Sequence, residues 1–121
     1  PEASFKASAH QKLYDRPLMA SHVIAIGMKR GNNPKIPEIE EVEATACAVQ
    51  NMMLTAAYLG IGTYWNSGGM TYHEQMKTFL GLGENDQVLG FLYLGYPSNQ
   101  WPKGKRISDI SSKTQWISDN Q

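Results

Sequence analysis

Apolar residues recur at Ile39, Val42, Ala46, Val49, Met53 and Ala56, in alternating steps of three and four, the signature of a helix that buries one side. Pro37 suits a first helical turn, and Glu38, Glu40, Glu41 and Glu43 complement the positive end of the helix dipole. The spacing predicts a helix from Pro37 to Leu59, closed by Gly60 in a left-handed C′ position. Its second half also carries Cys47, Leu54, Leu59 and several alanines off the stripe. Apolar character on several faces predicts burial on several faces, in a core or between two copies, with Cys47 as an inert buried thiol. Ser21 to Met28 is rich in β-branched and apolar residues and predicts a short buried strand, with His22 a satisfied structural histidine. Thr71-Tyr72-His73-Glu74 has the pattern of a capping box and predicts a short helix through Met76, Phe79 and Leu80, stopped by Gly81. A turn at Gly83–Asp86 leads into the nearly continuous apolar run Gln87–Gly95, which predicts an interior strand covered on both faces.

The ends read differently. Residues Glu2 to Lys12 are polar with scattered alanine, which reads either as a helix or as an ill-ordered lead-in, and Asp15-Arg16-Pro17 predicts a break in any helix there. From Ser98 onward the chain is polar, with Trp101 and Trp116 as isolated aromatic anchors. The chain opens Pro1-Glu2-Ala3 without an initiator Met, so it is expected to be the C-terminal part of a longer protein. With 121 residues it makes at most one domain, large enough for a small core. A hydrophobic fraction of 41% and a charged fraction of 18% are those of an ordinary globular chain. Eleven basic and eleven acidic residues cancel, which argues against nucleic acid or an anionic membrane as partner. No apolar run reaches the roughly 20 residues of a membrane helix. The single cysteine cannot form an internal disulfide, so a cytoplasmic, reducing compartment is expected.

Several chemical motifs are approached and then missed. Gly60-Ile61-Gly62 starts like a dinucleotide fingerprint, but Trp65 stands at the third glycine and the glycines follow a helix rather than a strand. They suit either a helix cap turning into a strand or a close approach to a flat or charged ligand. His73-Glu74 opens like a zinc-protease helix, but Lys77 replaces the second histidine and removes the chelating pair. Ser67 does not sit in the nucleophile-elbow pattern G-x-S-x-G. Lys103, Lys105 and Arg106 form a short basic cluster, which reads either as a solvated tail or as a phosphate clamp made of charge-assisted donors.

Taken in order, the strand before Gly27, the helix Ala44 to Leu59, Gly60-Ile61-Gly62, Trp65-Asn66-Ser67-Gly68, Leu80-Gly81-Leu82 and the run from Val88 to Pro97 resemble the FMN-dependent nitroreductases. The resemblance spans about Leu13 to Pro97, and it is carried by the order and separation of these pieces rather than by any one of them. It implies an α+β fold, a mixed sheet flanked by helices, in an intertwined homodimer with FMN at the interface. It further implies that Trp65, Asn66, Ser67 and Gly68 lie beside the flavin ring, with a backbone N–H of Ser67 or Gly68 facing flavin N5. Lys103-Gly104-Lys105-Arg106 loosely matches the family's basic segment on the FMN phosphate. The family's N-terminal arginine-serine segment, which grips phosphate and ribityl, has no counterpart in this chain. The implied activity is hydride transfer from NAD(P)H through flavin to a small-molecule acceptor such as a nitroaromatic or quinone, with no protein acid or base required. A non-catalytic dimerising or ligand-binding domain of the same fold is the second expectation.

Overall fold

The computed structural model describes residues 7–101 and 103–117. The long helix forms where the stripe predicts, as α2, Glu38–Tyr58. Around it run α1 (Ala7–Leu18), β1 (His22–Met28), β2 (Gly62–Asn66), α3 (Glu74–Phe79) and β3 (Gln87–Gly95), with 3-10 turns at Gly69–Tyr72 and Ile110–Lys113. The three strands make one sheet in the order β1-β3-β2, so the most apolar strand is the central one. Both pairings are antiparallel, whereas the resemblance implies a mixed sheet; the described residues supply only antiparallel pairs.

The stripe on α2 is what joins helix to sheet. Val49 packs with Ile26 of β1 and Leu92 of β3, all buried, and Met53, Trp65, Leu89 and Leu94 close around them. No residue of β3 is exposed: Leu92 is buried on the α2 side, and Val88, paired with Gly27 beyond an irregularity in the pairing, is buried on the other. Cover on both faces holds there, while the rest of the strand, apart from buried Gly90, is half-buried.

The strand pairing carries one irregularity. Ile26 pairs with Gly90 and Gly27 with Val88, which leaves Leu89 without a partner on β1, and β2 pairs only as far as Phe91. This is a β-bulge, and Gly90 within it has φ +130, which favours glycine.

A second knot ties the sheet to the loop before α2. Asp86 accepts the backbone N–H groups of Arg30 and Gly83, both at 2.8 Å, while the Arg30 guanidinium pairs with Glu41 and donates to Ile36 O at 2.7 Å. The backbone donors from Gly83 and Arg30 hold the Asp86 carboxyl below the usual carboxylate range, and the Arg30 side chain does the same for Glu41. Carboxyls lowered by folding contribute stability above their unfolded pKa and lose it as pH falls through the folded one. The knot therefore loosens only in acid below the ordinary carboxylate range.

Several local expectations are corrected. Asp15-Arg16-Pro17 does not break a helix: α1 runs through Pro17, which sits next to its end and forfeits only a last-turn hydrogen bond. Of the polar lead-in from Glu2 to Lys12, residues 2–6 lie outside the described residues. Thr71 is not the cap of α3; His73 is, its Nδ1 accepting the Gln75 N–H at 3.2 Å. His22 is exposed at the start of β1 rather than held as a structural histidine, and Cys47 is exposed rather than buried. Within this chain only Val49 and Ala56 of α2 are buried, and Ala48, Met52 and Leu59 face outward. Trp101 and Trp116 are exposed as well and anchor nothing among the described residues.

Candidate functional site

The turn out of α2 fixes where the site begins. Gly60 takes φ +75, with its N–H on Ala57 O and the Ile61 N–H on Ala56 O, so two terminal carbonyls are satisfied as the chain reverses. β2 then runs back along β3, with Trp65 opposite Leu92. Strand alternation sends Trp65 towards α2 and Asn66 to the other side. Asn66 instead uses its Oδ1 to accept the Gly68 N–H at 3.2 Å, an Asx turn that ends the strand. Gly69 takes φ +68, and the 3-10 turn it opens returns the chain to Tyr72. Thr71, 1% exposed, locks this corner by donating its hydroxyl to Gly68 O at 2.8 Å.

These moves border an open pocket of about 400 Å³ lined by Val42, Ala46, Trp65, Ser67, Tyr72 and Leu89. Val42 and Ala46 come from the first half of α2, Trp65 and Ser67 from the end of β2, and Leu89 from the bulge. The Trp65 indole N–H donates to Leu89 O at 3.1 Å, so the largest ring of the lining is held at its polar edge. The lining is apolar and aromatic, with the hydroxyls of Ser67 and Tyr72 and no charged side chain. It suits one side of a flat, uncharged ring and offers nothing for a phosphate.

The structure gathers the first group of expected site residues and leaves the second apart. Trp65 and Ser67 line the pocket, while Asn66 and Gly68 shape its rim through their own hydrogen bond. The Gly68 N–H is engaged by Asn66 Oδ1, and Gly68 itself is extended, with φ −82 and ψ 172. The left-handed residue of this corner is Gly69. Lys103, Lys105 and Arg106 lie exposed on the segment after β3, with no hydrogen bond or ion pair to any described residue. Val42, Ala46, Tyr72 and Leu89 are the lining residues that the sequence pattern does not single out. The first two sit on the helix stripe and read as core. For Leu89 a signal exists, because Gly90 inside a strand marks a bulge.

The Nitroreductase family model matches residues 1–96. The chain belongs to the nitroreductase family. Lys103, Lys105 and Arg106 fall beyond the matched residues. The chain is 35% identical over 89 residues to the Escherichia coli (strain K12) protein named "Putative NAD(P)H nitroreductase YdjA", an alignment covering 74% of this chain and 49% of that protein. It is 30% identical over 74 residues to "Putative NAD(P)H nitroreductase YfhC" of Bacillus subtilis (strain 168), covering 61% and 38%. Among solved structures it resembles a nitroreductase-like family protein from Bacillus cereus, with a TM-score of 0.75 and 30% identity over 94% of this chain and 62% of that one. This nitroreductase-like α+β chain thus spans about half the length, or less, of the curated relatives it matches. Among the described residues no helix is long and apolar enough to cross a membrane.

Proposed function

We propose that the protein to which this chain belongs is an FMN-dependent oxidoreductase that passes hydride from NAD(P)H to a small-molecule acceptor such as a nitroaromatic or quinone. The observation that carries the reading is the uncharged aromatic pocket at the end of β2, built around the segment in which the resemblance puts the flavin ring. Trp65, Tyr72 and Leu89 would flank an isoalloxazine ring, and Val42 and Ala46 would close the helix side. With the Gly68 N–H already engaged, the Ser67 N–H is the donor proposed to face flavin N5. Bound FMN would supply the two-electron chemistry, and the protein supplies position and exclusion of water. Because the pocket offers no cation, the phosphate has to be met elsewhere, and Lys103, Lys105 and Arg106 are proposed for it.

A homodimer belongs to the same reading. Met52, Leu59, Ile61 and Leu94 border an apolar depression of about 430 Å³ where the second half of α2 meets the sheet, with Leu54 and Tyr58 exposed on the same helix. A second copy seated there would remove this surface from water. A cytoplasmic setting accords with an exposed, unpaired Cys47.

The test is equilibrium dialysis of the full-length protein against FMN, followed by flavin absorbance and NAD(P)H oxidation. Retained flavin and turnover are expected, Ser67→Ala should keep most of both, and Trp65→Ala should lose at least about tenfold in affinity. A colourless protein that takes up no FMN would instead favour the non-catalytic, dimerising domain.

A further inference from the structure

We propose that the bulge at Leu89–Gly90 is the positioning element of the pocket and that Gly90 acts through Trp65 to fix the plane of the pocket's aromatic wall. Without the extra residue, Leu89 would point to the face of β3 opposite Leu92 and Leu94, because neighbouring side chains alternate. The bulge brings Leu89 onto the α2 side, where it both joins the core and lines the pocket. The same slip takes the Leu89 carbonyl out of register with either neighbouring strand and presents it to the Trp65 indole N–H.

Gly90 makes the arrangement sterically possible. A Cβ there would lie 2.6 Å from Asn66 O and 2.7 Å from Trp65 Nε1, and its φ of +130 is one that other residues rarely adopt. Any larger residue must move the indole, the end of β2, or both. Two walls of the pocket, Leu89 and Trp65, are thus set by one irregularity in the central strand. An indole held at its N–H cannot turn about its own axis without breaking that bond. The ring is oriented before a ligand arrives, which lowers the cost of binding a flat molecule beside it. The inference rests on the flavin reading only for its probe, FMN.

The experiment follows the Trp65 indole N–H proton by NMR in the full-length protein, the resonance being assigned by its loss in Trp65→Phe. Exchange with solvent is expected to be at least about 100-fold slower for Trp65 than for the exposed Trp101 and Trp116. Gly90→Ala should abolish that protection and weaken FMN binding by about tenfold or more. Gly81→Ala is the control: φ there is also positive, at +69, but a Cβ would meet nothing within 4 Å. It should lower stability while leaving Trp65 exchange protected and FMN affinity within about twofold. Should Gly90→Ala fail to fold, Trp65→Phe, which keeps an aromatic ring but removes the N–H, is expected to weaken FMN about three- to tenfold. The proposal is overturned if Trp65 exchanges as fast as Trp116, or if Gly90→Ala folds with Trp65 still protected. A wild-type protein that binds no FMN would defeat the flavin reading, while the exchange measurement would still decide the positioning role.

Discussion

The corner from Trp65 to Tyr72 and the segment from Lys103 to Arg106 are assigned by resemblance to two ends of one molecule, and the chain holds them by different means. In the corner every turn is fixed internally: Asn66 holds the Gly68 amide, Thr71 holds the Gly68 carbonyl, and Leu89 holds the Trp65 indole. The basic segment makes no hydrogen bond or ion pair to any described residue, and all three side chains are exposed. A site for a flat apolar ring has to be shaped in advance, because its specificity comes from packing and from hydrogen bonds already satisfied. A cluster of like charges cannot be shaped in the same way; without an anion its members repel and stay in water. The shaped half can therefore be recognised in this chain alone, and the charged half only in the presence of what it binds.

The comparison can be broken first at the two glycines of the corner. Gly69, at φ +68, needs the left-handed region, whereas Gly68 is extended and a Cβ on it would meet only Asn66 Oδ1 at 3.5 Å. Gly69→Val is expected to cost about 1–3 kcal/mol in urea unfolding and Gly68→Val no more than about 0.5 kcal/mol. Equal losses would mean that the corner is not held by backbone geometry at Gly69.

A smaller effect is expected at Thr71. Thr71→Val keeps shape and burial but removes the donor to Gly68 O, and should lower unfolding free energy by about 1 kcal/mol. Hydrogen exchange of the amides from Ser67 to Tyr72 should rise at the same time. A variant as stable and as protected as the parent would show that the hydroxyl does not lock the turn.

The smallest change in stability belongs to the basic segment. Replacing Lys103, Lys105 and Arg106 together by Ala should move unfolding free energy by less than about 0.5 kcal/mol. In the full-length protein the same triple variant should weaken FMN by about 1–3 kcal/mol, the scale of charged hydrogen bonds. Unchanged flavin retention after dialysis would return these residues to a solvated tail.

Periodicity alone determined the existence and nearly the ends of α2 and β3, because each extends an apolar repeat over enough residues to be unambiguous. Glycine chemistry in the sequence also located the helix stop at Gly60 and the turn before β3. What the sequence did not decide lies where one residue could serve two local structures. Thr71 satisfies a capping pattern, but its hydroxyl is used by Gly68 and the cap passes to His73. Pro17 reads as a breaker, yet at the end of α1 it sacrifices little. Cys47, Leu54 and Leu59 read as buried, but a single sheet can cover only one side of α2. The pocket itself belongs wholly to tertiary structure. Val42, Ala46, Trp65, Ser67, Tyr72 and Leu89 come from three separate parts of the chain, and a single slip in the pairing of β1 with β3 turns Leu89 towards the others. Local spacing carries no information about that slip beyond one glycine in a strand, because register is settled by which side chains the facing elements can bury.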